Sequence, residues 1–573
     1  MTKNKRLTGY PSVDKPWLDF YTEEEIAKLL PDSTMYDCVY ERNRDNLDKV
    51  ALNYYGTKIS YRSFFEIIDQ IASSLEQIGI KEGDAVSICM FNPPEAIYLI
   101  FALNKIGAIA NMVYGMASPQ EIRQNINDAD STVVFTLDTF QDKILSLLKD
   151  TKVRMVITSN MMQSMSWGNR LGARLIKHLK AFPCPKDKHF LTWKAFIQKG
   201  NGKSSHKHNP EMPAIITYTG GTTGGSKGVL LSNRAVLAVA EQYIIGEKAL
   251  SRNSTWAQVL PLFIAYGVTC SLMIPLMIGM TLIVRINMAD TIAELYKKFK
   301  PNHIIYGPAF WEAFADDNQK LDLSGLIAPV CGGDVLHPNA EEKINNYFER
   351  CGCPYMLMNG YGMTEVGAAV SCNNKLAYEF GSVGIPFVKN VISAFDIENG
   401  KELRYNETGE ICIHTPSMMD GYIKNLEETE KIIRRHEDGL LWVHTGDLGY
   451  VTENGFIHIN GRLKRYMLRI SIETGLQKKL FSLDVEKVFL MHPWVENCAV
   501  VPIPDTMQNQ VPKIYIILKK EADKSRAREV FTQFAEKNMD EICRPVEYVF
   551  VKKFPLTKIG KVDYQTLERG YKE

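Results

Sequence analysis

The sequence has almost no excess of either charge: 67 Lys and Arg stand against 66 Asp and Glu, a formal net charge of +1. A chain so balanced has no overall attraction for a polyanion, and it lacks a local basic patch, so nucleic acid is not expected as a partner. Patterned cysteine is also missing. The 11 cysteines are scattered, and although Cys351 and Cys353 are close, no second pair follows at zinc-ligand spacing. Buried or idle thiols fit that spacing better than a structural metal site. The charged start Met1-Thr-Lys-Asn-Lys-Arg lacks the apolar core of a secretory signal, and Tyr571-Lys-Glu matches no targeting address. A cytoplasmic protein with reduced thiols is therefore expected.

One stretch, Val259 to Val284, lacks charged residues altogether and is long enough to cross a bilayer. Pro261, Gly267, Pro275 and Gly279 punctuate it, and Pro261-Leu-Phe and Thr281-Leu-Ile-Val read as separate strand segments. A strand, a buried helix and a second strand are expected there rather than a membrane span.

What is present is ordinary globular composition, 45% apolar and 23% charged, in a chain of 573 residues. That length exceeds what one hydrophobic core usually supports, so two or more domains are expected. Helix and strand signals alternate through the first two-thirds. Ser60 can cap a helix with Phe64, Ile67, Ile68, Ile71, Leu75 and Ile78 on one face, stopped by Gly79. Ala85–Met90 reads as a buried strand, Pro93 and Pro94 open the next helix, and Gly107 closes it before a strand at Ala108–Met112. A similar rhythm recurs from Thr281 to Cys331. Such alternation implies doubly wound α/β sheets. From Gly381 onward short strands are separated by turns such as Asn399-Gly400 and Asn454-Gly455, which suggests a small β-barrel. After Arg462 the signals indicate a compact α+β unit, with helices near Asp484–Met491 and Ser525–Lys537 and strands at Cys498–Ile503 and Lys513–Leu518. The expected division is a large domain of residues 1–464 and a small C-terminal domain of residues 465–573, with the boundary near Lys464–Arg465.

Residues 163–208 interrupt the alternation with a basic segment. Trp167, Leu171, Leu175, Ile176 and Leu179 can share an apolar side, with Arg170, Arg174, Lys177 and Lys180 supplying charge. Two readings stand: a solvated connector packed on the body, or a membrane-surface helix giving peripheral membrane contact through residues 163–205.

Chemistry concentrates in five places. Tyr218-Thr-Gly-Gly-Thr-Thr-Gly-Gly-Ser-Lys-Gly-Val229 follows the strand-like Ala214–Thr217. Its glycines, Gly220, Gly221, Gly224, Gly225 and Gly228, allow tight folding with amides pointing inward. Thr219, Thr222, Thr223 and Ser226 add hydroxyls and Lys227 a positive charge, which together suit a polyphosphate. The P-loop of kinases is excluded, because Gly228 stands where that motif needs Ser or Thr for magnesium; a flexible connector remains the plain alternative. Asn359-Gly-Tyr-Gly-Met-Thr-Glu365 sets an aromatic, a hydroxyl and a carboxylate within one short run, able to stack on a base, touch a phosphate and hold magnesium. His444-Thr-Gly-Asp-Leu-Gly449 is read as placing Asp447 in a loop, where a carboxylate can accept both ribose hydroxyls. Gly461-Arg-Leu-Lys464 and Pro555-Leu-Thr-Lys-Ile-Gly-Lys-Val562 complete the set.

In this order and at these separations, the motifs resemble the adenylate-forming superfamily of acyl-CoA synthetases, peptide-synthetase adenylation domains and firefly luciferase. The resemblance runs from about Asn46 to Leu567, and the nearest-looking branch is the bacterial fatty-acid and related acyl-CoA ligases. It implies a two-step reaction. A carboxylate attacks the α-phosphate of Mg2+-bound ATP, releasing pyrophosphate and leaving an acyl-adenylate; the C-terminal domain then rotates, and a thiol, usually that of coenzyme A, attacks the acyl carbon. It also implies roles. Thr219, Gly220, Gly221, Thr222, Thr223, Gly224 and Lys227 match the triphosphate loop. Tyr361 matches the aromatic on adenine and Asn359, with Gly360 beside it, the residue at the adenine amino group. Gly332 and Gly333 match the backbone along the nucleotide. Thr364 matches the α-phosphate contact and Glu365 the magnesium ligand. Asp447 matches the ribose carboxylate and Arg462 its neighbouring contact. Lys561 matches the lysine that bridges the carboxylate and the α-phosphate; without the resemblance it would look like an exposed tail lysine.

Departures from the pattern bear on the substrate and the acceptor. Ser226 replaces the proline common before the loop lysine, and Gly220 the serine common after Thr219. In Pro261-Leu-Phe-Ile-Ala-Tyr-Gly267, Ile264 stands where many acyl-CoA ligases carry histidine. No aspartate lies between Gln258 and Val284 to hold an amino group, so an apolar fatty or aryl acid is expected over an α-amino acid. Arg465 replaces the usual hinge aspartate or lysine, and Leu468–Leu480 is longer than the glycine loop that lines the pantetheine tunnel. The expected activity is a coenzyme A ligase. Two alternatives remain: an enzyme loading a separate acyl carrier protein, and a non-catalytic sensor of nucleotide or acyl-adenylate.

Overall fold

The alternating signals resolve into two mostly parallel sheets with helices between and around them. The computed structural model describes residues 7–176, 180–219, 226–285, 292–316, 320–463, 466–472, 475, 477–556 and 562–571. The chain divides into two units. The larger comprises Pro16–Val391 and Ile413–Val443; the smaller comprises Met1–Lys15, Ile392–Cys412 and His444–Glu573. The expected boundary at Lys464–Arg465 lies outside the described residues.

In the larger unit one sheet runs in the order Gly421–Tyr422, Lys227–Ser232, Pro213–Thr219, Ile109–Met112, Ala85–Cys89, Val133–Leu137, Met155–Ser159 and Phe190–Thr192. Its interior pairs are parallel, and the two pairs at the Gly421 edge are antiparallel. The second sheet is centred on Val330–Cys331, His303–Tyr306, Thr255–Gln258 and Thr281–Val284, all parallel, with antiparallel pairs at both edges. Such sheets need both faces covered. The helix Tyr61–Gln77 starts where expected, its N-cap Ser60 accepting from Ser63 N, and Gly79 ends it at φ 85°. The helix Pro94–Lys105 is apolar nearly all round, and every residue from Pro94 to Asn104 is buried. Phe64 of the first helix meets Phe101 of the second edge-to-face, with ring centres 5.6 Å apart.

The charge-free run Val259–Val284 yields a helical stretch, Tyr266–Met273 continuing as Ile274–Ile278, and the strand Thr281–Val284. No described helix is long and apolar enough to cross a membrane. The strand expected at Pro261–Phe263 is instead a turn preceded by the strand Thr255–Gln258. Proline cannot donate to a ladder, and the Asn92 side chain serves this turn, accepting from Leu262 N and donating to the Leu260 carbonyl.

The basic segment divides. Its first half holds the helix Trp167–Ile176, on which Trp167 and Leu171 are exposed while Arg170 folds back onto the Gln163 and Met165 carbonyls. Its second half adds the strand Phe190–Thr192 to the sheet and buries Trp193 and Phe196 against Phe135. Leu179 and Lys177 lie outside the described residues. No disulfide joins any of the cysteines.

In the smaller unit Ile457–Arg462 pairs antiparallel with Asp447–Val451, and the expected turns at Asn399-Gly400 and Asn454-Gly455 place their glycines at positive φ. The α+β part has its sheet in the order Gln477–Phe481, Tyr466–Ile470, Asn509–Leu518 and Val495–Asp505, with Glu547–Val551 added parallel to Asn509–Leu518. Helices Ser482–Leu490 and Ala527–Asn538 supply Phe489 and Phe531 to its core. The long segment after Arg465 is a β-hairpin: Leu468 faces Lys479, Ile470 faces Gln477, and Gly475 turns the chain at φ 66°.

Two stability predictions follow from this core. Phe101→Ala removes a fully buried ring from between helices and should cost about 3–5 kcal/mol in denaturant unfolding. Glu95 is wholly buried on the same helix; Ser164 donates to one of its oxygens at 2.5 Å, and the other has no partner. Burial pushes its carboxyl up to about 7. A carboxyl raised above its unfolded value destabilises progressively as pH rises from the unfolded pKa toward the folded one, then by a constant amount above it. Glu95→Gln should therefore raise the melting temperature at pH 8.5 relative to its effect at pH 5, by the equivalent of up to ~3 kcal/mol.

Candidate active site

The phosphate-loop motif forms the mouth of a hairpin. Thr217, Tyr218 and Thr219 pair antiparallel with Val229, Gly228 and Lys227, so Thr219 and Lys227 stand opposite each other. The connection carrying Gly220, Gly221, Thr222, Thr223 and Gly224 lies outside the described residues. Tyr218 anchors one strand through bonds of 2.8 Å to Asn111 Oδ1 and to the Asn125 carbonyl. Gly228, read from sequence as part of the flexible loop, is a strand residue. A Cβ there would come within 2.7 Å of Ile423 and 3.1 Å of the Tyr218 ring, so close packing requires the glycine.

Beyond this mouth a chain of contacts links two of the expected site residues. Lys227 Nζ pairs with Glu428 and lies 5.0 Å from the centre of the Tyr422 ring. Tyr422 donates through its hydroxyl to Glu365 Oε1 at 2.6 Å. Burial and the Glu365 carboxylate push the phenol up, so it stays a donor. Glu365 is 7% exposed and sits in the single turn Thr364–Val366. That turn is fixed by Met419 N donating to the Glu365 carbonyl at 2.9 Å and by the Ser417 hydroxyl donating to the Val366 carbonyl at 2.8 Å. Gly362 makes the turn's approach possible, since a Cβ there would lie 1.7 Å from the Ala368 carbonyl oxygen.

Gly332, Gly333, Asn359, Gly360 and Tyr361 are gathered by strand pairing. Cys331 is the parallel partner of Asn359, while Gly360 and Tyr361 pair antiparallel with Cys372 and Ser371. These residues lie at or just past the carboxyl ends of parallel strands, where open α/β sheets bind ligands. A Cβ on Gly332 would be 2.9 Å from Tyr266 Oη and 3.4 Å from the Gly360 carbonyl oxygen. Asn359 is 5% exposed, its amide oriented by donation to the Ser382 carbonyl at 3.0 Å. The Tyr266 phenol, pushed well up by burial, stands against the Gly332 backbone, among Cys270, Cys331 and Cys372. It opens the helical stretch whose residues from Gly267 to Met273 are all buried.

In the smaller unit Asp447 and Arg462 are cross-strand partners, and Arg462 Nε lies 2.9 Å from Asp447 Oδ1. Asp447 therefore occupies a strand, not the loop that its glycine-flanked motif suggests. Gly446 at φ 69° and a register shift between Leu448 and Gly449 distort that strand locally. The distortion is braced by groups that sequence reasoning passed over. The Glu410 carboxylate joins His444 Nδ1 at 2.8 Å and accepts from Gly446 N at 3.0 Å. Thr445 donates to the Ile411 carbonyl at 2.6 Å and accepts from Asp447 N at 3.0 Å. With Cys412, Glu410 and His444 place ligand-type atoms within 4.8 Å of one another; the histidine–glutamate separation is that of a hydrogen bond. Lys561 lies outside the described residues, but Leu556 and Val562, which bracket its segment, pair antiparallel.

Tyr422, Glu428 and Glu410 carry no motif signal of their own. Tyr422 follows a glycine at an ordinary-looking turn, and Glu428 reads as a first-turn helix acid. Only the tertiary contacts reveal them.

The sequence profile of the AMP-binding enzymes matches residues 39–423, and that of the AMP-binding enzyme C-terminal domain matches residues 484–561. The long-chain-fatty-acid–CoA ligase of Bacillus subtilis is 26% identical over 567 residues, which covers 96% of each chain. The 4-coumarate–CoA ligase CCL1 of Humulus lupulus is 25% identical over 519 residues, covering 88% of each. The anthranilate CoA ligase AuaEII, solved in complex with anthranoyl-AMP, shares the fold at a TM-score of 0.79 and 20% identity, covering 96% of this chain and 98% of its own. The amide bond synthetase McbA from Marinactinospora thermotolerans shares it at 0.75 and 22%, covering 94% and 100%. With the first profile spanning more than half of its length, the chain belongs to the AMP-binding enzymes, the adenylate-forming superfamily whose ordered motifs it carries.

Proposed function

We propose that this enzyme uses ATP to activate an apolar carboxylic acid of the fatty or aryl class and then transfers the acyl group to coenzyme A. The observation that carries the reading is the Lys227–Tyr422–Glu365 chain beside the hairpin mouth. It sets a cation for a triphosphate on the ring face, and a buried carboxylate for Mg2+ on the hydroxyl, of one aromatic side chain. Mg2+ is usually held through one or two carboxylates together with phosphate oxygens, a donor set that Glu365 fits.

In the first step a substrate carboxylate oxygen bonds to the α-phosphorus. The bond from that phosphorus to the bridging oxygen breaks, and pyrophosphate leaves. Charge neutralisation dominates such a transfer. Thr219, Thr222, Thr223 and Lys227 meet the triphosphate along the backbone of Gly220, Gly221 and Gly224, Thr364 meets the α-phosphate, and Lys561 bridges the two reactants from a C-terminal lid of residues 465–573. Tyr361 stacks on adenine beside Asn359, Gly360, Gly332 and Gly333, while Asp447 takes the ribose hydroxyls with Arg462 alongside. In the second step a thiol sulfur bonds to the acyl carbon, the bond to AMP breaks, and the thiol proton passes to solvent. The apolar substrate class is supported by Ile264 and Tyr266 in a charge-free run, and by relatives named for fatty and coumaric acids.

One assay panel tests the reading. Pyrophosphate exchange is measured across fatty, aryl and amino acids, and product formation is then followed with coenzyme A, with a carrier protein and with an amine. Exchange with an apolar acid and a thioester of coenzyme A are expected; no exchange with any acid would favour a sensor. Lys561→Ala should abolish exchange while sparing thioester formation from supplied acyl-adenylate, and unchanged exchange would remove Lys561 from its role.

Glu410→Gln tests the bracing of Asp447. It should raise KM for ATP about 5- to 30-fold, the equivalent of ~1–2 kcal/mol, and shrink the preference for ATP over 2′-deoxy-ATP. A variant that lost activity with that preference intact would make Glu410 a purely structural residue.

A further inference from the structure

The cation proposed to meet the triphosphate already has an anion. Lys227 pairs with Glu428, which comes from the short helix Leu426–Ile432. Asn425 fixes that helix start by accepting from Glu428 N at 3.2 Å. The other Glu428 oxygen accepts from Lys431 at 2.8 Å, and Lys431 also reaches Glu427 at 2.7 Å. Bonding to Lys227 first, and then to Lys431, holds the Glu428 carboxyl down to about 2. It is ionised at any working pH.

We propose that Glu428 is an intramolecular counter-ion that competes with the triphosphate for Lys227 and so sets the affinity for nucleotide and pyrophosphate. The inference rests on the reading of Lys227 as a triphosphate contact. Three features of the geometry point to exchange rather than to a fixed pair. Lys227 and Glu428 are 30% and 32% exposed, so water screens their attraction and separating them costs little. Glu428 keeps Lys431 when it gives up Lys227, so no carboxylate is stranded. Lys227 keeps the face of the Tyr422 ring, which holds its ammonium near the hairpin mouth while the anion changes. The same competition acts on the product, since pyrophosphate leaving Lys227 is replaced by a carboxylate one side chain away.

A counter-ion that competes and one that merely aims the lysine differ in sign. Glu428→Gln in the full-length enzyme keeps the side-chain shape and removes the charge. If Glu428 competes, calorimetry should show tripolyphosphate and pyrophosphate binding about 3- to 10-fold more tightly, the size expected when one nearby like charge is removed in a partly aqueous site. KM for ATP should fall in step, with thermal unfolding unchanged. The gain should vanish in a Lys227→Met background. Unchanged or weaker tripolyphosphate binding in Glu428→Gln, with normal loss of binding in Lys227→Met, overturns the inference and leaves the triphosphate site standing. If Lys227→Met binds tripolyphosphate as the parent does, the reading of the site falls and the inference with it.

Discussion

A site that handles a magnesium-bound polyphosphate needs a cation and a carboxylate close together, yet the two must not simply neutralise each other. On the proposed reading of the site, Lys227 and Glu365 meet this constraint through Tyr422. The ring face takes the ammonium and the hydroxyl takes the carboxylate, so one rigid side chain separates the opposite charges and orients both. Much of the surrounding backbone serves that arrangement. Tyr422 sits on a two-residue strand beside Val229 and Leu230, continuing the sheet that bears the hairpin. Gly228 admits Ile423, the next residue, at a distance no larger side chain would tolerate. Gly421 at φ 146° brings Thr429 within reach, and the Thr429 hydroxyl accepts from Tyr422 N at 2.9 Å. Placing an aromatic between charges also explains why Lys227 is paired with Glu428 rather than with Glu365.

The smaller unit solves a related problem differently. Asp447 is buried in a strand and has Arg462 directly opposite, so its charge is partnered across the sheet. A buried carboxylate without such a partner would be costly. The distorted backbone around it is held by Glu410, whose two oxygens are divided between a histidine ring and a peptide N–H. One acid is thus paired across the sheet while a second fixes the backbone beside it.

Local signals made much of the fold legible. Apolar spacing, the Ser60 cap and Gly79 delimit the helix Tyr61–Gln77, and the Asn-Gly pairs mark turns whose glycines take positive φ. Local signals misled where tertiary contact decides. Apolar Pro261-Leu-Phe imitates a strand but turns under the Asn92 side chain, and Asp447 between glycines imitates a loop residue although a neighbouring strand claims it. The site was legible only as separate motifs. Glu365 finds Tyr422 across 57 residues and Lys227 finds Glu428 across 201, and no periodicity or spacing encodes such pairings.

The segment after Arg465, expected from sequence to depart from the family's glycine-loop motif, forms a pair of antiparallel strands. Extra residues in a hairpin cost little, because closure entropy grows only slowly with length. Here Tyr466–Ile470 and Gln477–Phe481 pair as a ladder. Arg469, on the first strand, is 3% exposed, and its guanidinium donates to the carbonyls of Glu541, Ile542 and Arg544 at 3.2, 2.7 and 3.0 Å and to Gln508 Oε1 at 2.7 Å. A buried guanidinium is tolerated only when its donors are satisfied, and those carbonyls in turn need donors. The strand is thereby locked to the loop after the helix Ala527–Asn538, and its register cannot slip without stranding both partners.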